Sequence, residues 1–306
     1  MLASPGPLPA GAGWAYEVKW DGVRALVAVE GGEVRATSRS GNDVTGGYPE
    51  LAALGLPDGV LLDGELVVLG PGGTPDFGLL QSRMHVRGPA PALRERAPVI
   101  FLPFDVLHAG GASLLDAPYD DRRAVLDALG LDVPPAFLDG GADLLASTLA
   151  SGLEGVLAKR RDGRYLPGRR TDGWVKVKHV HRQSAVICGW KPGAGGRAGS
   201  LGSLLLGIHD AGPPAGDGLR YAGHVGTGFD AATLALLADR LAPLARATPP
   251  YDGPVPREHA RLARWVEPVL VCEVALTAWT REGRLRHPSY KGLRDDLDPT
   301  AVVREA

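Results

Sequence analysis

Short strand-like runs, cut off by glycine turns, recur along this chain and limit what it can fold into. Tyr16–Trp20, Arg24–Val29 and Val34–Ser38 read as successive strands, with Gly31 and Gly32 as a turn. Val60–Leu69 and Pro98–Leu107 are longer runs rich in Val, Ile and Leu, and Gly155–Arg160 and Trp174–Lys178 are short strands. Two helices interrupt them, Asp120–Leu129, stopped by Gly130, and Ala142–Leu149. From Ser184 strands dominate: Ala185–Trp190, Ser203–His209, Leu219–His224 and Pro268–Trp279. One helix, Ala231–Leu244, carries an apolar stripe of Leu234, Leu237, Leu241 and Leu244. Several strands with one inserted helix suggest a small barrel of the oligonucleotide-binding type. The expected division is therefore a mixed domain over 1–182 and an all-β barrel over 183–306. The glycine- and proline-rich stretch Lys191–Gly199 reads as a mobile loop just inside the second domain.

Composition removes several classes. The 43 glycines and 26 prolines are scattered through 306 residues, so neither collagen nor a low-complexity tail fits. No apolar run reaches the ~18 residues needed to span a bilayer, and no basic segment followed by an apolar one opens the chain. The expectation is a cytoplasmic, nucleoid-associated protein with no membrane partner. Cys188 and Cys272 are too few for a disulfide scaffold and read as buried, reduced thiols. Net charge is −2, but its distribution is uneven. Leu51–Leu80 holds four acids and no Lys or Arg, whereas Lys159–Lys191 holds ten bases and two acids. Such asymmetry fits a polyanion-binding face, and equally a solvated one.

The chemistry concentrates in Glu17-Val18-Lys19-Trp20-Asp21-Gly22-Val23-Arg24. Alternate residues of a strand share a face, so Glu17 and Lys19 should point the same way, with Arg24 returning alongside after the Asp21-Gly22 turn. A lysine amine attacks phosphorus only when unprotonated, so such a site must lower its affinity for a proton. On its own the stretch equally fits a surface strand of alternating charge. Lys176 and Lys178 alternate across Val177 and share a face.

In order along the chain stand Lys19 to Arg24 (Lys-x-Asp-Gly-x-Arg), Ser38-Arg39-Ser40-Gly41, Asp63-Gly64-Glu65, Phe104-Asp105-Val106-Leu107, Glu154-Gly155-Val156 and Trp174-Val175-Lys176-Val177-Lys178. This series resembles the covalent nucleotidyltransferases: ATP-dependent DNA ligases, RNA ligases and mRNA-capping enzymes. Within that group the chain is most similar to the ligase module of the bacterial end-joining ligases. Glu17–Arg24, Gly152–Lys178 with its Pro167-Gly168-Arg169-Arg170, and Arg286–Asp296 carry that likeness. No polymerase or nuclease module accompanies them, which implies a stand-alone ligase or one module of a split system.

The resemblance implies an α+β, ATP-grasp-like nucleotidyltransferase domain followed by an OB-fold barrel. It implies Lys19 as the nucleophile that takes AMP from ATP. Glu17, Arg24, Arg39, Glu65, Phe104, Lys176, Lys178, Arg294 and Asp296 would bind ATP or AMP, with Phe104 stacking on the base. Glu65 and Glu154 would hold Mg2+ or Mn2+. Taken singly, either glutamate fits a surface acid, Phe104 fits a core position, and Trp20 reads as packing. The partner would be nicked or broken double-stranded DNA, together with a Ku-like end-binding protein and a separate repair polymerase. The family's last motif usually reads Arg-x-Asp-Lys; here Arg294-Asp295-Asp296 is followed by Leu297, which puts the efficiency of the first step in doubt. An RNA ligase or capping-type enzyme and an inactive DNA-binding module are the alternatives.

Overall fold

A computed structural model describes residues 1–193, 200–209, 218–280 and 282–305. These form two units, Met1–His179 and Val180–Ala306, dividing just before the expected position at Arg182. The first unit runs β1 (Leu2–Pro5), β2 (Trp14–Val18), β3 (Val23–Glu30), β4 (Glu33–Ser38), β5 (Val60–Val68), α1 (Phe77–Gln81), α2 (Pro91–Arg96), β6 (Val99–Ala109), β7 (Ala112–Ser113), α3 (Tyr119–Ala128), β8 (Ala136–Phe137), α4 (Gly141–Ala150), β9 (Gly155–Arg160) and β10 (Arg170–Lys178). The second runs β11 (His181–Pro192), β12 (Leu201–His209), β13 (Leu219–Val225), α5 (Ala231–Leu241), β14 (Ala245–Arg246), α6 (Arg257–Ala260), β15 (Arg264–Leu276), β16 (Ala278–Trp279), β17 (Leu285–Arg286) and β18 (Ser289–Leu293).

The first unit builds two five-stranded sheets, ordered β1-β10-β9-β2-β8 and β4-β3-β5-β6-β7. In the second sheet β5 is central, and its Val60, Leu62, Leu66 and Val68 fill a core completed by Leu80, Phe101 and Leu126. α3 packs on β6, and α4 on β9 and β2. Asp120 and Asp121 in the first turn of α3 suit its positive end. In the second unit β13-β12-β11-β15 form one sheet, and β18 adds to β15. α5 lies between the third and fourth long strands, the arrangement of an OB barrel. Its buried Leu237 and Leu241 cap the core of Val186, Leu204, Leu206 and Val271.

Several boundaries moved for local reasons. β2 stops at Val18, so Lys19 lies beyond the strand rather than within it. The helix expected to run to Leu244 ends at Leu241 and passes into a 3-10 turn over Ala242–Leu244. Pro243 has no N–H for another helical bond. The expected Pro268–Trp279 strand is split at Thr277 into the end of β15 and β16. The sequence reading missed β1, which pairs in parallel with β10. Of the expected mobile loop, residues 194–199 lie outside the described residues, while Lys191 and Pro192 belong to β11. Among the described residues no helix is long and apolar enough to cross a membrane.

Candidate active site

Three antiparallel strands of the first sheet bring one end of each together. β2 ends at Val18 opposite Val156, β9 begins at Gly155, and β10 ends at Lys178 opposite Gly155. The Lys19 amide donates to the Gly155 carbonyl at 2.9 Å, which extends this register one residue past β2. Glu154, just before β9, then sits between two ammonium groups. One carboxylate oxygen pairs with Lys19 Nζ and the other with Lys178 Nζ. Burial pushes the Glu154 carboxyl upward, but Lys19 and Lys178 outweigh that and hold it below its ordinary value. The glycine of this motif is required sterically. Gly155 has φ +144°, and a Cβ there would meet the Val177 carbonyl oxygen at 2.1 Å.

Lys176 lies two residues before Lys178 on the same face, without an ion pair among the described residues. Desolvation, then repulsion from Lys178, Arg170 and Lys19, lowers its affinity for a proton. The site therefore offers more positive charge than its own acids neutralise, as a polyphosphate needs.

The second sheet supplies Arg24, Asp63 and Glu65, with Arg24 of β3 directly paired with Glu65 of β5. Gly22 permits this approach, since a Cβ there would come within 2.3 Å of the Leu66 carbonyl. Asp63 and Glu65 differ in role although they are two residues apart on one strand. Asp63 is fully buried and receives Arg24 Nε at 2.8 Å, Arg24 Nη2 at 2.6 Å and the Tyr165 hydroxyl at 2.8 Å. Arg24 also donates to the Met1 carbonyl at 2.6 Å. The Arg24 guanidinium, which the resemblance assigns to ATP or AMP, is thus held by protein groups. Burial would lower the Arg24 pKa, but Asp63 outweighs it and the net shift is upward. Glu65 has no hydrogen-bond or ion-pair partner among the described residues. Water reaches part of it, yet desolvation pushes its carboxyl up to about 8 against the opposing pull of Lys19 and Arg24.

Glu17 departs from the expectation that it neighbours Lys19. It is buried, pairs with Lys159 Nζ at 2.8 Å and accepts from the Tyr119 hydroxyl at 2.6 Å. Lys159 also donates to the Phe104 carbonyl at 2.8 Å and lies over the Phe104, Trp174 and Tyr119 rings at 4.7, 4.6 and 5.2 Å. Phe104 is half-buried, edge-on to Trp174 with ring centres 6.0 Å apart. A second buried pair, Arg122 with Asp105 at 2.7 Å, anchors α3 to β6.

Sequence reasoning missed Lys159 and Tyr119 as neighbours of this site, and it quoted Trp174 in the motif of Lys176 and Lys178 without giving it a role. It counted Lys159 among bases available to a polyanion, but Lys159 has no exposed surface. The available signal was its position in a short apolar strand, on the face of Gly155 and Leu157. The basic stretch also divides between the two units, and most of its first half is neutralised. Arg160 pairs with Asp162, Arg161 with Asp120 and Arg164 with Asp116. Arg169, Arg170 and Lys176 remain without an ion pair among the described residues.

Arg39 is exposed on the turn after β4, a turn closed by Gly41 N–H to the Ser38 carbonyl at 2.9 Å. Arg294 and Asp296 belong to the second unit, joined by two hydrogen bonds of 2.8 Å, with Glu273 at 3.4 Å from Arg294. Leu297 packs against the barrel core. For a metal, Glu65 and Glu154 offer hard oxygen donors, which suit Mg2+ or Mn2+. Among the described residues no three His, Cys, Asp or Glu side chains form a ready cage. Water and phosphate oxygens would have to complete the coordination, as these ions prefer.

Models of known families match most of the chain. One described as an ATP dependent DNA ligase domain matches residues 8–134, and one described as the ATP dependent DNA ligase C terminal region matches residues 197–297. The multifunctional non-homologous end joining DNA repair protein LigD of Mycobacterium tuberculosis is 46% identical over 95% of this chain and 37% of its own length. LigD of Pseudomonas aeruginosa is 39% identical over 99% of this chain and 36% of its own. The chain thus spans little more than a third of these relatives. A crystal structure of the ligase domain from M. tuberculosis LigD is 45% identical, covering 99% of this chain and 97% of that one, with a TM-score of 0.56. A structure of a Lig E DNA ligase, 21% identical with a TM-score of 0.59 over 92% of this chain and 93% of that one, shares the fold.

Proposed function

The chain belongs to the ATP-dependent DNA ligases, and from that premise we propose that it seals 5′-phosphate/3′-hydroxyl nicks or breaks in double-stranded DNA through a lysyl-AMP on Lys19. The observation that supports this reading is the meeting of Lys19, Glu154 and Lys178 at one sheet end, within electrostatic reach of Glu65. In the first step the deprotonated Lys19 amine attacks the α-phosphorus of ATP. A P–N bond forms, the bond to the β-phosphate oxygen breaks, and pyrophosphate leaves. A 5′-phosphate oxygen of the DNA then takes the AMP and frees Lys19. Finally the 3′-hydroxyl attacks that 5′-phosphorus, the phosphodiester closes and AMP leaves.

Such chemistry asks a protein mainly for position and charge. Lys176 and Lys178 would neutralise the charge that builds on the phosphates. Phe104 would stack on the adenine, with the Glu17–Lys159 pair at the polar edge of that pocket. Arg24 would act by holding Asp63 and the β3–β5 pairing, and Arg39 by contacting ribose or phosphate. Bound Mg2+ or Mn2+ on Glu65 and Glu154 would supply further charge neutralisation. A role for Arg294 and Asp296 on ATP rests on the motif resemblance. A Ku-like end-binding protein and a separate repair polymerase are the partners an end-joining role implies.

The test incubates the protein with α-labelled ATP and Mg2+ or Mn2+, then offers nicked DNA, with nicked RNA as control. Label should become covalent, then transfer to DNA and be released on sealing. Lys19→Ala and Lys19→Arg should both abolish labelling, since an arginine stays protonated and cannot attack. Acid-labile AMP persisting on either variant would remove Lys19 as the nucleophile.

A further inference from the structure

The second unit carries a cavity of about 570 Å3 built from its own residues on β13, around α6 and along the 282–288 segment. That volume is in the range of small-ligand pockets. Its wall is a fan of three rings. His259 lies 4.5 Å from His224 and 5.8 Å from Tyr221, tilted by 38° and 35°. The Arg284 guanidinium stands 4.5 Å from the centre of the Tyr221 ring. Lys191 reaches the same wall, donating from Nζ to the Glu258 carbonyl at 2.8 Å. Both imidazoles are held below their ordinary pKa, first by desolvation, so they present neutral aromatic faces.

Two histidines alone do not make a metal site, and among the described residues no third His, Cys, Asp or Glu completes one. Flat rings and a guanidinium together are the components of a single-strand platform, where a base stacks and a cation meets its phosphate.

We infer that this cavity takes one unpaired nucleotide of a DNA strand, its base against His259 and His224 and its phosphate near Arg284. The inference rests on the DNA-joining reading, because unpaired nucleotides occur at broken or frayed ends. It concerns recognition and adds no chemical step.

The test uses the whole chain and duplexes ending in one unpaired 2-aminopurine, or in an abasic residue at the same position. Binding is followed by 2-aminopurine quenching and by anisotropy of a distant label. The base-bearing end should bind about tenfold more tightly than the abasic one, the size expected for one stacked base. His224→Ala and His259→Ala each remove one ring of the stacking face. Each should collapse the base-to-abasic ratio by several-fold while leaving abasic binding unchanged. A ratio near one in the unaltered protein, or a ratio retained in either variant, overturns the inference. Covalent labelling of Lys19 and sealing of a fully paired nick are measured alongside. Failure there would overturn the ligase reading and leave the binding ratio to be judged by itself.

Discussion

The two units treat their charged motif residues in opposite ways. In the first, Asp63 with Arg24, Asp105 with Arg122 and Glu17 with Lys159 are pairs with at least one fully buried partner, each tied to further hydrogen bonds. In the second, Arg294 and Asp296 pair at the surface with Glu273 beside them. The Arg294 hydrogen bonds lower the Asp296 carboxyl to about 2, so this pair stays ionised at any working pH. A buried pair keeps its geometry because removing one partner strands a charge in low dielectric. An exposed pair is screened by water and can exchange partners with little loss. The charged pairs of the first unit are thus fixed by burial, whereas the Arg294–Asp296 pair is open to solvent.

The most severe challenge to this contrast is Asp105→Ala, which strands Arg122 and should destabilise the protein by about 3–5 kcal/mol. Asp296→Ala should leave the urea unfolding midpoint where it was. Equal shifts in the two variants would erase the distinction.

A smaller effect should come from pH. The Glu65 carboxyl is raised from 4.5 to about 8 in the folded protein. Between those values the folded chain holds a proton that the unfolded chain has released. Stability without metal should therefore fall as pH rises through that window, by a total of about 1–3 kcal/mol given the water that reaches Glu65. Glu65→Gln should flatten the decline. An identical slope in the variant would mean that another group titrates.

Phe104→Ala sharpens the contrast inside the first unit, because this ring packs on Trp174 and is also the one proposed to hold the base. ATP-dependent labelling should weaken by about tenfold, the loss of one stacked base. Sealing of nicks that already carry AMP should weaken less. Matching losses would assign Phe104 to the core alone.

Leu297→Lys should have the smallest effect. Leu297 lies at the rim of the barrel core, where a lysine stem can cover the same surface and keep its ammonium in water. The loss should stay below about 1 kcal/mol, measured by urea unfolding. If this position takes the cation usual in the family, labelling should also quicken. A loss of several kcal/mol would show the end of this motif to be as rigid as the first unit.

The amino-acid sequence by itself indicated most of the longer strands and the shared face of Lys176 and Lys178, because two-residue alternation and glycine turns are local properties. It also supplied the ordered series of motifs on which the family likeness rests. Long-range contact decided the rest. The sequence treated Asp63 and Glu65 as one motif, but Arg24 and Tyr165 claim Asp63 and leave Glu65 open. It placed Glu17 beside Lys19, yet Lys159, far along the chain, draws Glu17 into the interior. It counted Lys159 as a surface base, whereas three rings and a carbonyl bury that ammonium. The tertiary structure alone settled these points, because which charge becomes buried depends on the partners that arrive from distant strands to compensate the lost water.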